Sequence, residues 1–162
     1  MRTLPFLAAT LALAGCGAVE TGTTDSLPAV EACFVTGSTG YPVRLEVASD
    51  TSARQKGLMG REKLAENAGM VFEYQEERGA GYGFWMFRTL IPLDIAFLDD
   101  HGVIVSLRNM EPCQSSRSTH CPSYPAGAPF WNAVEMNSGY FKARGINVGD
   151  RLIWPLEGTC PP

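Results

Sequence analysis

The sequence predicts a mainly β fold: a compact antiparallel β-sandwich or barrel-like single domain with one or two short helices. Short segments that alternate apolar and polar residues recur along the chain, as they do in half-buried strands. Turn-forming residues separate these segments, and only two stretches have the capping signals of a helix. Many short strands with little helix are typical of sandwiches and barrels, and residues 31–162 suffice for one such domain but not for two.

The N-terminus resembles a bacterial lipoprotein signal peptide, which we place at residues 1–15. Arg2 supplies a positive charge, an apolar run too short to span a bilayer follows, and the tetrapeptide LAGC ends at Cys16. In such signals the cysteine is lipidated and anchors the mature chain in the membrane. We therefore expect an exported protein, lipid-anchored through Cys16 in the cell envelope, in the outer membrane facing the periplasm if the host is Gram-negative. Residues 16–30 are small and polar, which predicts a flexible tether.

The domain opens with a strand and then a short helix. In YPVRLEVAS, Val43 and Leu45 alternate with charged residues, as in a strand with one buried face. In DTSARQKGL, either Asp50 or Thr51 can cap the N-terminus of a helix, and Gly57 can end it.

The rest of the chain continues the pattern of strands. They are predicted at GMVFEY, YGFWMF, LDIAFLDDHGVIVSLRN, FWNAVEMN and DRLIWPL. Gly102, in the DDHG of the third segment, predicts a hairpin there. A second helix is predicted at SGYFKARGI, with Ser138 as N-cap, Gly145 just past the last turn and Ile146 packing back on it. Residues 110–130 show no pattern and predict a loop.

The four cysteines that follow Cys16 predict two disulfides, because an even number is typical of exported domains. Three pairings are possible. Cys113 and Cys121 bracket a short loop and favour a local bond, which leaves Cys33 with Cys160 near the two ends of the domain. Zinc binding near His120 is the competing interpretation, but the spacing lacks a CxxC or HxxxH pattern. We expect no metal and no other cofactor.

Four motifs, in this order, resemble the DUF192 family of small bacterial and archaeal proteins. They are RQKGLMGRE, GMVFEY, FWMFRTLIPLDIAFLD and AVEMNSGYFKARGINVGDRL, and the resemblance runs from about residue 44 to residue 152. It implies a compact, mainly β sandwich with a short helix or two, and it implies no reaction. Two features depart from the family pattern and affect the rim of any pocket: Arg88 stands where Lys or Asn is more usual, and the loop from Cys113 to Cys121 has its own predicted disulfide.

Asp94 is a carboxylate in the otherwise apolar strand PLDIAFL. Both faces of this strand are apolar elsewhere, so a buried Asp94 needs a partner or acquires a raised pKa. One hypothesis is a structural ion pair with Arg54 or Arg61. The other is a side chain that points into a ligand site.

Glu135 raises the same question within AVEMN. It can point outward, pair with Arg144 or Arg151, or share a cleft with Asp94. Two carboxylates in one cleft perform glycoside hydrolysis, and small β-sandwiches also use such acids to bind sugar hydroxyls.

Large apolar side chains can also line a groove, although core packing is the simpler explanation for them. The candidates are Met59, Met70, Trp85 and Met86, with Tyr82 and Trp131 as stacking platforms.

Charge and missing motifs exclude several functions. The formal charge is −4, and no block of Lys or Arg is present, which argues against nucleic acid as a partner. The sequence has no Gly-x-Ser-x-Gly elbow, no glycine-rich phosphate loop and no His-Glu-x-x-His. His101 and His120 fall in a predicted turn and loop, so neither indicates metal ligation or base catalysis, and the sequence favours a protein that is not an enzyme.

The sequence therefore favours an envelope binding or accessory module with a small cleft, whose ligand is a small molecule, a glycan or an envelope protein. Candidate ligand-binding residues are Arg54, Met59, Arg61, Trp85, Met86, Thr89, Asp94 and Glu135. One alternative is a hydrolase of an envelope glycan that uses Asp94 and Glu135 as acid and base. Another is a protein-interaction domain that uses residues 111–129, which predicts an exposed apolar patch around Tyr124, Phe130 and Trp131.

Overall fold

The computed structural model describes residues 27–162, which form nine strands, two α-helices and one 3-10 helix. The strands are β1 (Ala29–Thr36), β2 (Thr39–Ala48), β3 (Ala68–Arg78), β4 (Gly83–Trp85), β5 (Leu93–Leu98), β6 (Ile104–Met110), β7 (Ser123–Pro125), β8 (Phe130–Asn137) and β9 (Arg151–Ile153). The helices are α1 (Thr51–Lys56) and α2 (Tyr140–Arg144), and the 3-10 helix is Ser118–His120. The predicted mainly β single domain is confirmed, with 46% strand and 10% helix.

Seven strands form one sheet in the order β6-β5-β8-β3-β2-β1-β9, and β4 pairs with β7 in a separate small sheet. Every paired couple in the main sheet is antiparallel except β2 and β3, which run parallel. The parallel pair follows from α1, which carries the chain from the end of β2 back to the start of β3.

The main sheet is apolar on both faces, because helices and the small sheet cover them. On one face, Phe34, Val71 and Leu98 pack with Phe141 of α2. On the opposite face, Phe72, Ile95 and Phe97 of the main sheet pack with Ala53 of α1, with Phe84 of the small sheet and with Met86, which follows it. This double coverage explains why all six residues of β5 are buried, whereas β2 alternates in the predicted way.

Both helices lie where the capping signals predicted them, but only α1 is capped as expected. The Asp50 Oδ1 accepts a hydrogen bond from the backbone N–H of Ala53 at 2.9 Å. The end of α2 is also as predicted, since Gly145 adopts φ 65° and Ile146 is buried. Its N-cap position is Gly139, however, with no side-chain cap, so the predicted Ser138 cap is wrong.

The predicted hairpin and both predicted disulfides are confirmed. Gly102 adopts φ 77° in the turn between β5 and β6. Cys33 bonds to Cys160 and Cys113 bonds to Cys121, which excludes the alternative of zinc at these cysteines. Within the described part of the chain, no group of His, Cys, Asp and Glu side chains could hold a metal ion.

The predicted signal peptide, Cys16 and most of the predicted tether lie outside the described residues. Strand β1 begins at Ala29, so the last two residues of the predicted tether, Ala29 and Val30, belong to the sheet. Among residues 27–162, no helix is long and apolar enough to cross a membrane.

Candidate functional site

Glu135 lies on β8, in the middle of the main sheet. Its neighbours across the strands are Met70 of β3 and Ile95 of β5. Since side chains alternate along a strand, Glu135 points to the same face as these two residues, toward α1 and the small sheet. Only 4% of the residue is exposed.

No group within residues 27–162 donates a hydrogen bond to the Glu135 carboxyl or forms an ion pair with it. The two arginines predicted as partners lie elsewhere: Arg144 pairs with Glu66 at 2.9 Å, and Arg151 is exposed. Burial alone raises the pKa of Glu135 from 4.5 to about 8. At neutral pH the side chain is therefore mostly a protonated acid, which can both donate and accept a hydrogen bond.

Glu135 opens into a cleft of about 500 Å³, a volume within the range of small-molecule sites. One wall is α1 with the turn that follows it, and the other is the chain from Tyr82 to Trp85 with Thr89; β3 forms the floor. The lining residues are Thr51, Arg54, Gln55, Lys56, Gly57, Leu58, Met59, Phe72, Tyr74, Arg78, Tyr82, Gly83, Phe84, Trp85, Thr89 and Glu135.

Aromatic rings form much of this lining. Phe72 and Phe84 meet edge to face with ring centroids 5.0 Å apart, and Tyr74 and Tyr82 do so at 5.7 Å. Tyr82 and Trp85 are 43% and 46% exposed, which is high for such large rings. Large, rigid aromatic surface that remains open to solvent is suited to contact with a ligand.

Two guanidinium groups stack on the same tyrosine. The Arg54 and Arg78 Cζ atoms lie 5.0 and 4.8 Å from the Tyr74 ring centroid. The Arg54 guanidinium is held in place by hydrogen bonds that it donates to the backbone carbonyl oxygens of Ser49 and Glu73. Burial raises the pKa of Tyr74 above its ordinary value, so this ring remains neutral between the two cations.

The structure brings together five of the eight candidate ligand-binding residues. Arg54, Met59, Trp85, Thr89 and Glu135 line the cleft.

Three candidates lie elsewhere. Arg61 forms an ion pair with Glu46 at 2.6 Å, in a depression on the other side of α1. Met86 is fully buried in the core. Asp94 pairs with Met136 across β5 and β8, and Met136 is the residue next to Glu135. Since successive residues of a strand point to opposite faces, Asp94 faces the opposite side of the sheet from Glu135.

Asp94 has partners, but not the predicted arginines. Its Oδ1 accepts a hydrogen bond from the Asn109 Nδ2 at 2.7 Å, and its Oδ2 accepts one from the backbone N–H of Phe141 at 3.4 Å. Asp94 therefore satisfies the first turn of α2, as an N-cap side chain would. The predicted ion pair with Arg54 or Arg61 and the predicted shared cleft with Glu135 are both wrong.

The exposed patch predicted by the protein-interaction alternative is also absent from its predicted position. Phe130 is fully buried, and Tyr124 is half-buried with its hydroxyl accepting a hydrogen bond from the Glu111 backbone at 3.1 Å. Trp131 is half-buried and does not line the cleft.

The lining residues that were not anticipated from the sequence include Tyr74 and Arg78. Tyr74 follows Met70 and Phe72 on the same face of β3, so alternation could have placed it there. Arg78 could not be placed in this way, because the register of β3 against β8 shifts between Glu73 and Arg78.

One sequence model identifies the family, and two solved structures are similar in sequence and fold. The sequence model of DUF192, described as Uncharacterized ACR, matches residues 34–154. A crystal structure of a candidate transcription regulator from Sinorhizobium meliloti 1021 is 31% identical, with a TM-score of 0.69, and the match covers 79% of this chain and 95% of that one. A protein of unknown function from Novosphingobium aromaticivorans DSM 12444 is 28% identical, with a TM-score of 0.72, and the match covers 91% of this chain and 100% of that one. No curated protein matches significantly.

Proposed function

Since the chain belongs to the DUF192 family, whose description names no reaction, we propose its function from the cleft itself. The protein is a binding module that holds a small organic molecule between α1 and the small sheet. A ligand would supply the hydrogen bonds that Glu135 lacks and would cover the exposed rings of Tyr82 and Trp85.

The observation that carries this proposal is the unpartnered, buried carboxyl of Glu135. Burying a polar group without a hydrogen bond costs about 1–3 kcal/mol in proteins. Met70 and Ile95 show that apolar residues fit the adjacent positions of the same face, so packing does not require an acid here. Groups that reduce stability in this way are typical of functional sites.

The lining favours binding over catalysis. Among the described residues that line the cleft, Glu135 is the sole carboxylate, and neither a histidine nor a cysteine accompanies it. The pair of carboxyl groups that glycoside hydrolysis uses is therefore not assembled among these lining residues. The hydrolase alternative requires Asp94 as a second acid in the same cleft, but Asp94 lies on the opposite face of the sheet.

We place this module at the cell envelope, anchored in the membrane through Cys16. The LAGC motif and the preceding apolar run support the anchor. The two disulfides support export, since such bonds persist in oxidising compartments and are rare in the cytosol. The acidic balance of the chain, −4, gives no support for a nucleic-acid partner.

A fragment screen by NMR tests the proposed function. The isotope-labelled protein, disulfides intact, is titrated with a library of small aromatic acids, alcohols, amines and monosaccharides. We expect the binders to shift amide resonances of Met70, Phe84 and Trp85. We expect Glu135→Leu to weaken the binding of the same molecules. Asp94→Asn, an acid in the next strand on the opposite face, is the matched control and should bind as the wild type does. The proposal is contradicted if the binders shift only resonances outside the cleft, or if they bind Glu135→Leu as tightly as the wild type.

A further inference from the structure

We propose, on the basis of the function above, that the ligand is a small organic anion with an apolar or aromatic body. Its negative end lies against the guanidinium of Arg78, and a hydrogen-bonding group at its other end reaches Glu135. Three lines of observation lead to this assignment: the charge of the lining, the state of the Arg78 guanidinium and the shape of the cleft.

The cleft is positively charged although the chain is acidic. Arg54, Lys56 and Arg78 line it, whereas Glu135 is the one acid among the described lining residues. The chain as a whole has 17 Asp and Glu against 13 Lys and Arg. A concave surface with one sign of charge attracts ligands of the opposite sign and repels cations. Glu135 contributes little negative charge to the cleft, because burial raises its pKa and favours the neutral acid.

Arg78 is the cation that is left to bind a ligand. Its Nη1 pairs with Glu76 at 3.1 Å, but the Glu76 side chain is 75% exposed, so this contact is weak. The Arg78 Nε is buried, and residues 27–162 provide no hydrogen-bond acceptor for it. The Arg78 Cζ lies 4.8 Å from the ring centroid of Tyr74 and 5.5 Å from that of Tyr82. The fork of donors on a guanidinium suits a carboxylate or phosphate. Arg54, in contrast, already donates to backbone carbonyl groups.

The two polar ends of the cleft are separated by an aromatic floor. Glu135 lies opposite Met70, and Arg78 lies opposite Phe130, which precedes Glu135 by five positions on β8. At about 3.3 Å per residue, the backbone positions are roughly 17 Å apart. The side chain of Arg78 reaches back over Tyr74 and shortens this span. An elongated molecule with an apolar middle fits this arrangement.

Three probes with the same body and different end groups test the charge preference: 4-phenylbutyrate, 4-phenylbutan-1-ol and 4-phenylbutan-1-amine. Their dissociation constants are measured by NMR titration at pH 7, with resonances of the cleft as the reporter. We expect 4-phenylbutyrate to bind at least tenfold more tightly than the alcohol, and the amine to bind most weakly. Arg78→Met keeps the length and apolar stem of the side chain, and it should abolish the preference for the anion while leaving the alcohol bound. Arg117→Met, an exposed arginine outside the cleft, is the matched control.

The outcomes separate this inference from the proposed function. If the alcohol binds as tightly as the anion, or the amine binds more tightly, the cleft is a binding site but the anion assignment is wrong. If none of the three probes shifts a cleft resonance at millimolar concentration, both proposals fail. If Arg78→Met does not fold, the comparison of the three probes on the wild type still decides the question.

Discussion

Two buried carboxylates in adjacent strands have opposite roles, and the difference lies in their partners. Asp94 accepts hydrogen bonds from Asn109 and from the backbone of Phe141, so it connects β5, β6 and α2. Glu135 accepts none from residues 27–162 and opens into a cleft. The sequence marked both residues as unusual, but partners that are distant along the chain cannot be identified from one sequence. Asp94 is therefore structural, and Glu135 is the candidate for function.

Asp94→Asn should lower the free energy of unfolding by about 2 kcal/mol. The substitution keeps the shape of the side chain but removes the charge that strengthens both hydrogen bonds, and bonds to charged groups contribute roughly 1.5–3 kcal/mol. The cost stays below that of a broken buried ion pair, because the partners are neutral. Urea unfolding measures the change, with the exposed Asp100→Asn as control. Equal stability of Asp94→Asn and the wild type would show that Asp94 does not support α2.

Glu135 should make the protein less stable as the pH rises. Its pKa is about 8 in the folded protein and 4.5 ordinarily, so the unfolded chain loses this proton first. Below about pH 4.5 both states are protonated and the residue imposes no ionisation cost. Between pH 4.5 and 8 the free energy of unfolding falls, by at most roughly 5 kcal/mol, and above pH 8 the effect is constant.

Glu135→Gln isolates this effect, since it leaves all other titrating groups in place. Urea unfolding of both proteins at a series of pH values should show that the advantage of the variant grows from pH 5 to pH 8. A difference between the two proteins that does not change with pH would mean that Glu135 ionises normally.

The elements of the fold were predictable where the signal is local. Alternation located β2, β3, β8 and the β5–β6 hairpin, and Asp50 located the start of α1. Features that depend on tertiary contacts were missed. The Phe141 N–H in the first turn of α2 donates to Asp94, 47 positions away, and Ser138 next to the helix does not cap it. Strand β7 has three residues and no pattern, so only its pairing with β4 defines it.

Two glycines with similar backbone conformations should differ in their tolerance of alanine. Gly102 and Gly145 have φ 77° and 65°, where a side chain costs about 1–2 kcal/mol. A Cβ at Gly145 would meet nothing within 4 Å, whereas one at Gly102 would clash with the carbonyl oxygen of Leu152. Gly145→Ala should therefore lower the free energy of unfolding only by this cost of the backbone conformation. Gly102→Ala should lower it clearly more, and urea unfolding measures both changes. Equal losses would mean that the approach of β9 to the hairpin is loose.

For the molecule as a whole, the two disulfides should contribute unequally to stability. The Cys33–Cys160 bond joins residues 127 positions apart, and Cys113–Cys121 joins residues 8 apart. Loop-closure entropy predicts about 5 kcal/mol for the long loop and about 2.5 kcal/mol for the short one. Double Cys→Ala variants of each pair, compared by urea unfolding, should keep this order. A larger loss from the short loop would indicate that it supports the small sheet through packing.

The site as a whole was only partly predictable, because it joins residues from α1, β3, β4 and β8. Unusual residue types drew attention to Glu135 and Trp85. No local pattern, however, shows which face of the sheet an acid occupies when both faces are apolar. The register between β5 and β8 decides it, and that register places Asp94 and Glu135 on opposite faces.

The most direct test of Glu135 as a ligand-binding residue is the melting temperature of Glu135→Leu beside that of the wild type at pH 7.5. If the acid is retained for a ligand, replacing it with an apolar side chain of similar size removes a buried carboxyl that has no partner within residues 27–162 and whose burial costs about 1–3 kcal/mol. The variant should then melt at least about 3 °C above the wild type. If Glu135→Leu instead melts several degrees below the wild type, the acid stabilises the fold and the cleft loses the observation that marks it as a binding site.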